Sequence, residues 1–281
     1  MEAKILDGKK LSEEIRGGIK ERVDRLREKG IKPGLAVILV GNDPASEIYV
    51  RNKGKACEAV GIESKTICLP EDTTQEKLEE TIQELNEDVR WNGILVQLPL
   101  PKHLNERDAL SKILPEKDVD GFHVMNAGHL LIGTPGVVPC TPLGAMYMIH
   151  QTGVSLSGKN AVVIGRSMLV GKPMALLLLR EDCTVTVCHR KTQNLSAITR
   201  EADILVVAAG SPGMVTGDMI KPGAVVIDVG INRVEGKICG DVDFESASKV
   251  AGWITPVPGG VGRMTITMLL SNTVDAAERT M

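Results

Sequence analysis

Residues 162–173 of the chain read Val162-Val163-Ile164-Gly165-Arg166-Ser167-Met168-Leu169-Val170-Gly171-Lys172-Pro173. β-Branched residues followed by glycine predict the end of a buried strand, and Pro173 is typical of the first turn of a helix. The two glycines allow backbone amides to approach a phosphate, and the helix N-terminus adds partial positive charge. The stretch therefore predicts a strand–turn–helix element suited to a nucleotide, with a tight turn that binds nothing as the alternative.

The glycine spacing differs from that of the two best-known phosphate loops. Ser167 stands where the GxGxxG fingerprint has its second glycine, and Pro173 stands where a Walker loop has Ser or Thr, so an ATPase is disfavoured. The next predicted strand ends in His189-Arg190-Lys191, without the carboxylate that binds the ribose of NAD. Because arginine and lysine attract a 2′-phosphate, these residues and Arg166 favour NADP, with NAD still possible.

Strand and helix signals alternate along most of the chain. The predicted strands cover residues 35–40, 64–69, 93–98, 161–164, 184–188, 204–208 and 224–229, and the predicted helices cover 9–29, 44–60, 75–88, 172–180 and about 265–279. Such alternation builds a parallel sheet covered by helices, and the prolines and glycines between 115 and 142 predict a connection between two lobes. We predict a two-lobed α/β fold, with an N-terminal lobe over 1–140 that also takes the helix at 265–281, and a Rossmann-like lobe over 141–264.

Composition disfavours several classes of function. The 281 residues carry 33 basic and 36 acidic side chains without a basic block, which argues against nucleic-acid or membrane partners. Six cysteines without a CxxC pair predict reduced thiols in a cytoplasmic protein, and five dispersed histidines predict no metal site. The sequence shows neither a span of about 20 apolar residues nor a signal-peptide stretch at its start.

Tyr49 and Lys53 are the first candidate catalytic pair. Four residues apart in a predicted helix, they share one face. A lysine beside an aromatic ring can act as a general base if burial and the positive charges of Arg51 and Lys55 lower its pKa, and a solvated surface lysine is the alternative. Gln97 ends a predicted parallel strand, where its amide either orients the lysine or caps the backbone.

Two further segments combine carboxylates, glycine and proline. Asp118-Val119-Asp120-Gly121-Phe122 offers turn residues, or one carboxylate that pairs with N–H donors of an aminopyrimidinone ring. Pro258-Gly259-Gly260-Val261-Gly262 predicts either a flexible loop or a backbone wall that approaches a flat ring closely.

In this order, the motifs resemble the bifunctional methylenetetrahydrofolate dehydrogenase/methenyltetrahydrofolate cyclohydrolase family over nearly the whole chain. The matching segments are Tyr49-x-x-x-Lys53 and residues 96–101, 118–122, 139–142 (Pro-Cys-Thr-Pro), 165–173 and 254–262. The resemblance implies oxidation of methylenetetrahydrofolate by hydride transfer to NADP+, followed by hydrolysis of methenyltetrahydrofolate to 10-formyltetrahydrofolate. It also implies tetrahydrofolate derivatives as substrates and a homodimer.

The resemblance further implies two sets of site residues, with the folate in a cleft between the lobes. The folate-binding and catalytic set comprises Ser46, Tyr49, Lys53, Gln97, Asp120, Pro258, Gly259 and Gly260. The cofactor-binding set comprises Gly165, Arg166, Ser167, Arg190 and Ile231. Within the first set, the pterin stacks on Tyr49, Asp120 binds the ring nitrogens, and Lys53, tuned by Gln97, is the key residue of cyclohydrolysis.

Two positions depart from the family pattern. Arg263 stands where proline is usual, and it contacts the folate tail, the cofactor phosphates or solvent. Arg190 stands where many relatives have serine, which alters the preference between NADP and NAD. The alternatives to the family function are another two-domain NAD(P)-dependent dehydrogenase, of the shikimate or amino-acid type, and a non-catalytic nucleotide-binding protein.

Overall fold

The computed structural model describes residues 2–280. Its strands are β1 (Lys4–Ile5), β2 (Gly34–Val40), β3 (Glu63–Leu69), β4 (Gly93–Val96), β5 (Asn160–Ile164), β6 (Thr184–Cys188), β7 (Ile204–Val207), β8 (Val225–Asp228), β9 (Asn232–Val234), β10 (Lys237–Cys239) and β11 (Trp253–Ile254). Its helices are α1 (Gly8–Glu28), α2 (Pro44–Val60), α3 (Gln75–Glu87), α4 (Glu106–Lys112), α5 (Val124–Ile132), α6 (Cys140–His150), α7 (Gly171–Arg180), α8 (Leu195–Thr199), α9 (Phe244–Ala247) and α10 (Val261–Glu278).

The chain forms two compact units, and the first of them contains six parallel strands. This six-strand unit comprises the described residues up to Glu13 and the segment Thr141–Thr265. Its sheet has the order β1-β11-β8-β7-β5-β6, and every neighbouring pair is parallel. Strands β7 and β8 are buried along their whole length, as are the last four residues of β5. Runs of Val and Ile suit such strands because both faces of the sheet are covered.

The second unit is built on a smaller parallel sheet. This three-strand unit comprises Glu14–Cys140 and the chain from Ile266 onward. Its strand order is β3-β2-β4, and every residue of the central strand β2 is buried. Aliphatic side chains of the sheet and of α3 form its core, where Trp91 packs with them. Beyond β4, Ile94 and Asp118 form a parallel bridge, which brings the segment after residue 117 beside the sheet.

The structure confirms the α/β class and the parallel sheets, and it differs from the sequence-based prediction in several places. The first described residues join the six-strand unit because β1 pairs with β11, with Lys4 opposite Trp253. The strand predicted to reach residue 98 ends at Val96, directly before Gln97. The last helix starts at Val261, four residues before the predicted start.

The stretch 115–142, predicted as an irregular connection, also contains helical structure. Helix α5 lies within it, and α6 begins at its end. His123 caps α5, since its Nδ1 accepts the N–H of Met125 at 3.1 Å, and Gly133 ends the helix with a φ of 77°. The prolines and glycines therefore mark the ends of a short helix rather than its absence.

Candidate active site

Helix α2 positions three of the predicted folate-site residues. Asp43 caps its N-terminus, because Oδ2 accepts the N–H of Ser46 at 2.8 Å. This start buries Ser46 in the first turn and leaves the Tyr49 side chain 43% exposed. Lys53 follows Tyr49 by four residues on the same face of the helix. An exposed aromatic ring beside a lysine offers a flat ligand both a stacking surface and a polar group.

Lys53 and Gln97 meet directly, as the sequence predicted. Nζ of Lys53 donates to Oε1 of Gln97 at 3.0 Å. The Gln97 backbone N–H donates to the Ile38 carbonyl at 2.9 Å, and Nε2 donates to the Leu98 carbonyl at 2.7 Å. These two bonds hold the amide with its oxygen toward the lysine. The pair lies at the carboxyl end of β4, where parallel sheets place ligand sites.

The two carboxylates of segment 118–122 have different surroundings. Asp118 is buried, and its Oδ1 accepts the N–H of Gly121 at 3.1 Å. Its Oδ2 accepts the N–H of His123 at 2.7 Å and Nδ2 of Asn126 at 2.9 Å. Asp118 thus holds the loop together. Asp120 is half-buried, and it is the carboxylate of the pair that a ligand can use.

Two residues near Asp120, Cys140 and Asn272, were not among the predicted site residues. Burial raises the pKa of its carboxyl, whereas the charge of Lys53 lowers it. The buried Cys140 thiol donates to the Val119 carbonyl at 3.3 Å, and burial, followed by the charge of Asp120, raises the pKa of that thiol well above its usual value. Nδ2 of Asn272 donates to the Val119 carbonyl at 2.9 Å, which steadies the same segment. The Pro-Cys-Thr-Pro motif was a signal for Cys140, but no local pattern marked Asn272.

The carboxyl of Asp120 adds a negative charge to the surroundings of Lys53. Arg51 and Lys55, which the sequence suggested as neighbouring positive charges, are both exposed on α2. The Asp120 carboxyl interacts electrostatically with Lys53. The site therefore combines an amine, an amide and a carboxyl group, all within the three-strand unit.

The turn between β5 and α7 packs tightly against backbone. Gly165 has a φ of 119°, and a Cβ there would collide with the carbonyl oxygen of Ala208. A Cβ at Gly171 would collide with the carbonyl oxygen of Gly165. Oγ of Ser167 accepts the N–H of Val170 at 3.1 Å, which fixes the middle of the turn. Glycine is thus required at both ends, and the backbone is accessible to a ligand between them.

The other predicted cofactor residues lie at the same edge of the six-strand sheet. Arg166 follows β5, Arg190 follows β6 and Ile231 follows β8, and all three side chains are exposed, Ile231 by 52%. The carboxyl ends of parallel strands share one edge of a sheet. A nucleotide fits the residues present, since a glycine-cradled backbone adjoins two exposed arginines.

Pro258, Gly259 and Gly260 form the loop between β11 and α10, within the six-strand unit. Gly259 has a φ of 113°, and a Cβ at Gly260 would lie 2.5 Å from the Pro256 carbonyl oxygen. The N–H of Arg263, whose side chain is exposed, donates to the Gly260 carbonyl at 3.1 Å. Glycine is therefore required at both positions.

The described part of the chain contains neither a cluster of metal-binding side chains nor a helix that could span a membrane. Within residues 2–280, His, Cys, Asp and Glu form no group that could hold a metal ion. Over the same residues, no helix has both the length and the apolar character that crossing a membrane would require.

The fold and these sites define a class of two-unit α/β protein, with an amine–amide–carboxyl site on one sheet and a nucleotide-binding edge on the other. Two family models match the chain: tetrahydrofolate dehydrogenase/cyclohydrolase, catalytic domain, over residues 6–120, and the NAD(P)-binding domain of the same name over residues 139–281. The chain belongs to the tetrahydrofolate dehydrogenase/cyclohydrolase family, which confirms the resemblance seen in the sequence.

Known relatives cover the whole chain. The bifunctional protein FolD of Moorella thermoacetica is 58% identical over 280 residues, which are 99% of this chain and 100% of the relative. The solved structure of bifunctional FolD from Campylobacter jejuni has a TM-score of 0.98 at 52% identity, covering 99% of this chain and 100% of its own. FolD of Trypanosoma brucei, solved with NADP cofactor and an inhibitor, has a TM-score of 0.96 at 44% identity, covering 100% and 99%.

Proposed function

We propose that this protein oxidises methylenetetrahydrofolate to methenyltetrahydrofolate with NADP+ and then hydrolyses the product to 10-formyltetrahydrofolate. The observation that carries the proposal is the bond between Lys53 and Gln97 at the carboxyl end of β4, in a chain that matches both domains of the family. The shikimate-type and amino-acid-type alternatives are not favoured, since the family match extends over both units.

The six-strand unit is proposed to bind the cofactor, which supplies the hydride acceptor. Gly165 and Ser167 present backbone to the pyrophosphate, and Arg166 and Arg190 attract the 2′-phosphate of NADP. No carboxylate follows β6 in the sequence His189-Arg190-Lys191, so this position does not repel that phosphate. NADP is therefore the preferred cofactor, and NAD, which lacks the 2′-phosphate, binds more weakly.

The three-strand unit is proposed to bind the folate ring. Tyr49 offers its exposed ring for stacking, and Asp120 accepts paired N–H donors of the pterin. Asp120 must be ionised for that task; burial raises the pKa of its carboxyl above the usual value, and the charge of Lys53 opposes this rise. Ser46 completes this polar network.

Lys53 is proposed to move the proton during hydrolysis. Water attacks the cationic methenyl carbon and releases one proton to solvent; a C–N bond of the ring then opens, and the second proton of the water must reach the departing nitrogen. Gln97 fixes Nζ of Lys53 through the 3.0 Å bond, so that the transferring group has a defined position. The preceding hydride step needs mainly alignment of two carbons, so it depends less on Lys53.

A cytoplasmic homodimer is the proposed state. The hairpin of β9 and β10 pairs only with itself among the described strands, and its Val234 and Ile238 are exposed apolar side chains. A two-stranded hairpin is marginally stable alone, so a second copy is a fitting cover for it. The cysteines at all six positions are free thiols, as expected in a reducing compartment. Light scattering after size-exclusion chromatography tests the dimer.

Parallel assays test the function. Purified protein is mixed with methylenetetrahydrofolate and either NADP+ or NAD+ while reduced cofactor is followed, and methenyltetrahydrofolate consumption is then measured without cofactor. We expect both activities, with the higher kcat/KM for NADP+. Cofactor binding without turnover of either folate would contradict the proposal and favour the non-catalytic alternative.

A further inference from the structure

Two buried aspartates of the six-strand unit have no part in the site described above. Asp228 is the last residue of β8, and Asp241 follows β10. Asp241 is fully buried and Asp228 nearly so. Burying a carboxylate is unfavourable unless hydrogen bonds compensate the lost hydration. The partners of these two groups therefore indicate what they are for.

Asp241 holds the loop that follows β7. Its Oδ2 accepts the N–H groups of Ala209 at 2.6 Å and Gly210 at 2.9 Å, and its Oδ1 accepts that of Ser211 at 2.7 Å. The same Oδ1 accepts Nδ2 of Asn232 at 2.8 Å. One carboxylate thus ties the loop after β7 to the segment after β8.

Asp228 holds the segment after β8 from the other side. Its Oδ1 accepts the N–H groups of Gly230 at 2.9 Å and Asp241 at 3.0 Å, and its Oδ2 accepts that of Val242 at 2.9 Å. A Cβ at Gly240 would collide with Oδ2 of Asp228. The two aspartates and these backbone groups form one closely packed network.

Ile231 lies between two residues that the aspartates bind. Its two chain neighbours, Gly230 and Asn232, are each bound by one of the aspartates, while its own side chain projects to solvent at the carboxyl edge of the sheet. We propose that Asp228 and Asp241 are positioning residues that shape the loops after β7 and β8 for the dinucleotide. This inference rests on the proposed dehydrogenase function.

The hydrogen-bond network of Asp228 and Asp241 is better explained by positioning of the loops than by stabilisation of the fold alone. Burial, with the Asp241 charge adding to it, raises the pKa of Asp228 to about 6, although three backbone hydrogen bonds favour the ionised form. Holding a charge at this position therefore opposes folding, and apolar packing would stabilise the unit more. What the carboxylates add is a fixed loop shape at the edge that the cofactor must approach.

Asp241→Asn is the first test. The amide NH2 that replaces one carboxylate oxygen would face N–H donors, so part of the loop loses its acceptor. We expect KM for NADP+ to rise about tenfold or more, while methenyltetrahydrofolate hydrolysis without cofactor changes by less than about twofold. Asp203→Asn is the matched control. The Asp203 carboxylate accepts hydrogen bonds from the Asn160 N–H and from Nζ of Lys221, and it lies at the amino end of β7, away from the carboxyl edge of the sheet.

Asn232→Ala is a milder second variant. It removes one side-chain link to Asp241 from a half-buried position and keeps every backbone bond, so it tests the inference even if Asp241→Asn fails to fold. We expect KM for NADP+ to rise about threefold or more with little change in Tm. If Asn232→Ala leaves that KM unchanged, and any folded Asp241→Asn affects it no more than Asp203→Asn does, the inference is overturned. Absence of NADP-dependent oxidation in the unmodified protein would instead refute the proposed function.

Discussion

Lys53→Met tests the acid–base assignment most directly. Methionine keeps an unbranched apolar stem but removes Nζ, and with it the 3.0 Å bond to Gln97. Loss of a positioned proton-transfer group slows a reaction by about 10²–10⁴-fold, or about 3–5 kcal/mol of activation free energy. Burial raises the pKa of Asp120, and the positive charge that opposes this rise is lost as well, so we also expect weaker folate binding.

The assay measures methenyltetrahydrofolate hydrolysis without cofactor, and NADP+ reduction by methylenetetrahydrofolate in parallel. Lys55→Met is the matched control, because Lys55 lies on the same helix with its side chain exposed. We expect the control to retain both activities within about twofold and Lys53→Met to lose hydrolysis far more than oxidation. Equal Tm values would show that both variants are folded. Hydrolysis by Lys53→Met within about threefold of the unmodified rate would refute the assignment.

Three further outcomes follow from the six-strand unit. Gly165→Ala should lower Tm more than Gly158→Ala does, and it should also weaken NADP+ binding. Both positions have positive φ, which costs a non-glycine residue about 1–2 kcal/mol, but only a Cβ at position 165 would also collide with the Ala208 carbonyl. Equal losses of Tm in the two variants would contradict this prediction. The pKa of Asp228 is about 6 in the folded protein, against a usual value of 3.8. The contribution of this carboxyl to the free energy of unfolding is therefore fully present below about pH 4 and is lost as the pH rises through 6. The total loss is on the order of 3 kcal/mol. In urea unfolding, Asp228→Asn should therefore remove part of the loss of stability between about pH 4 and 7, and an unchanged pH profile would argue against a raised pKa. Arg190→Ser should raise KM for NADP+ about tenfold and leave KM for NAD+ unaltered, whereas equal effects on both would place Arg190 away from the 2′-phosphate.

Short-range signals carried most of the fold. Strand β2 was visible as an apolar run, and helix α2 was predicted over residues 44–60, the bounds that the structure has, because such patterns depend on neighbours within a few residues. The short helix α5 was not predicted, because its cap is a histidine and the surrounding prolines and glycines are equally typical of irregular structure. The two-residue strand β1 was not predicted either, because it forms only by pairing with β11, which lies far away in the sequence.

The sequence by itself determined the α/β class, the glycine turn at 165–171 and the pair of Tyr49 and Lys53, because spacing along one helix or one turn is a local property. The family resemblance already implied Asp120 as the ligand-binding carboxylate, but only the tertiary structure gave the physical reason: the oxygens of Asp118 hold its own loop, whereas Asp120 interacts with Lys53. Only the tertiary structure revealed the hydrogen-bond network of Asp228 and Asp241 at the carboxyl edge of the six-strand sheet. Burial and hydrogen-bond partners come from residues far apart in the chain, and no local pattern specifies them.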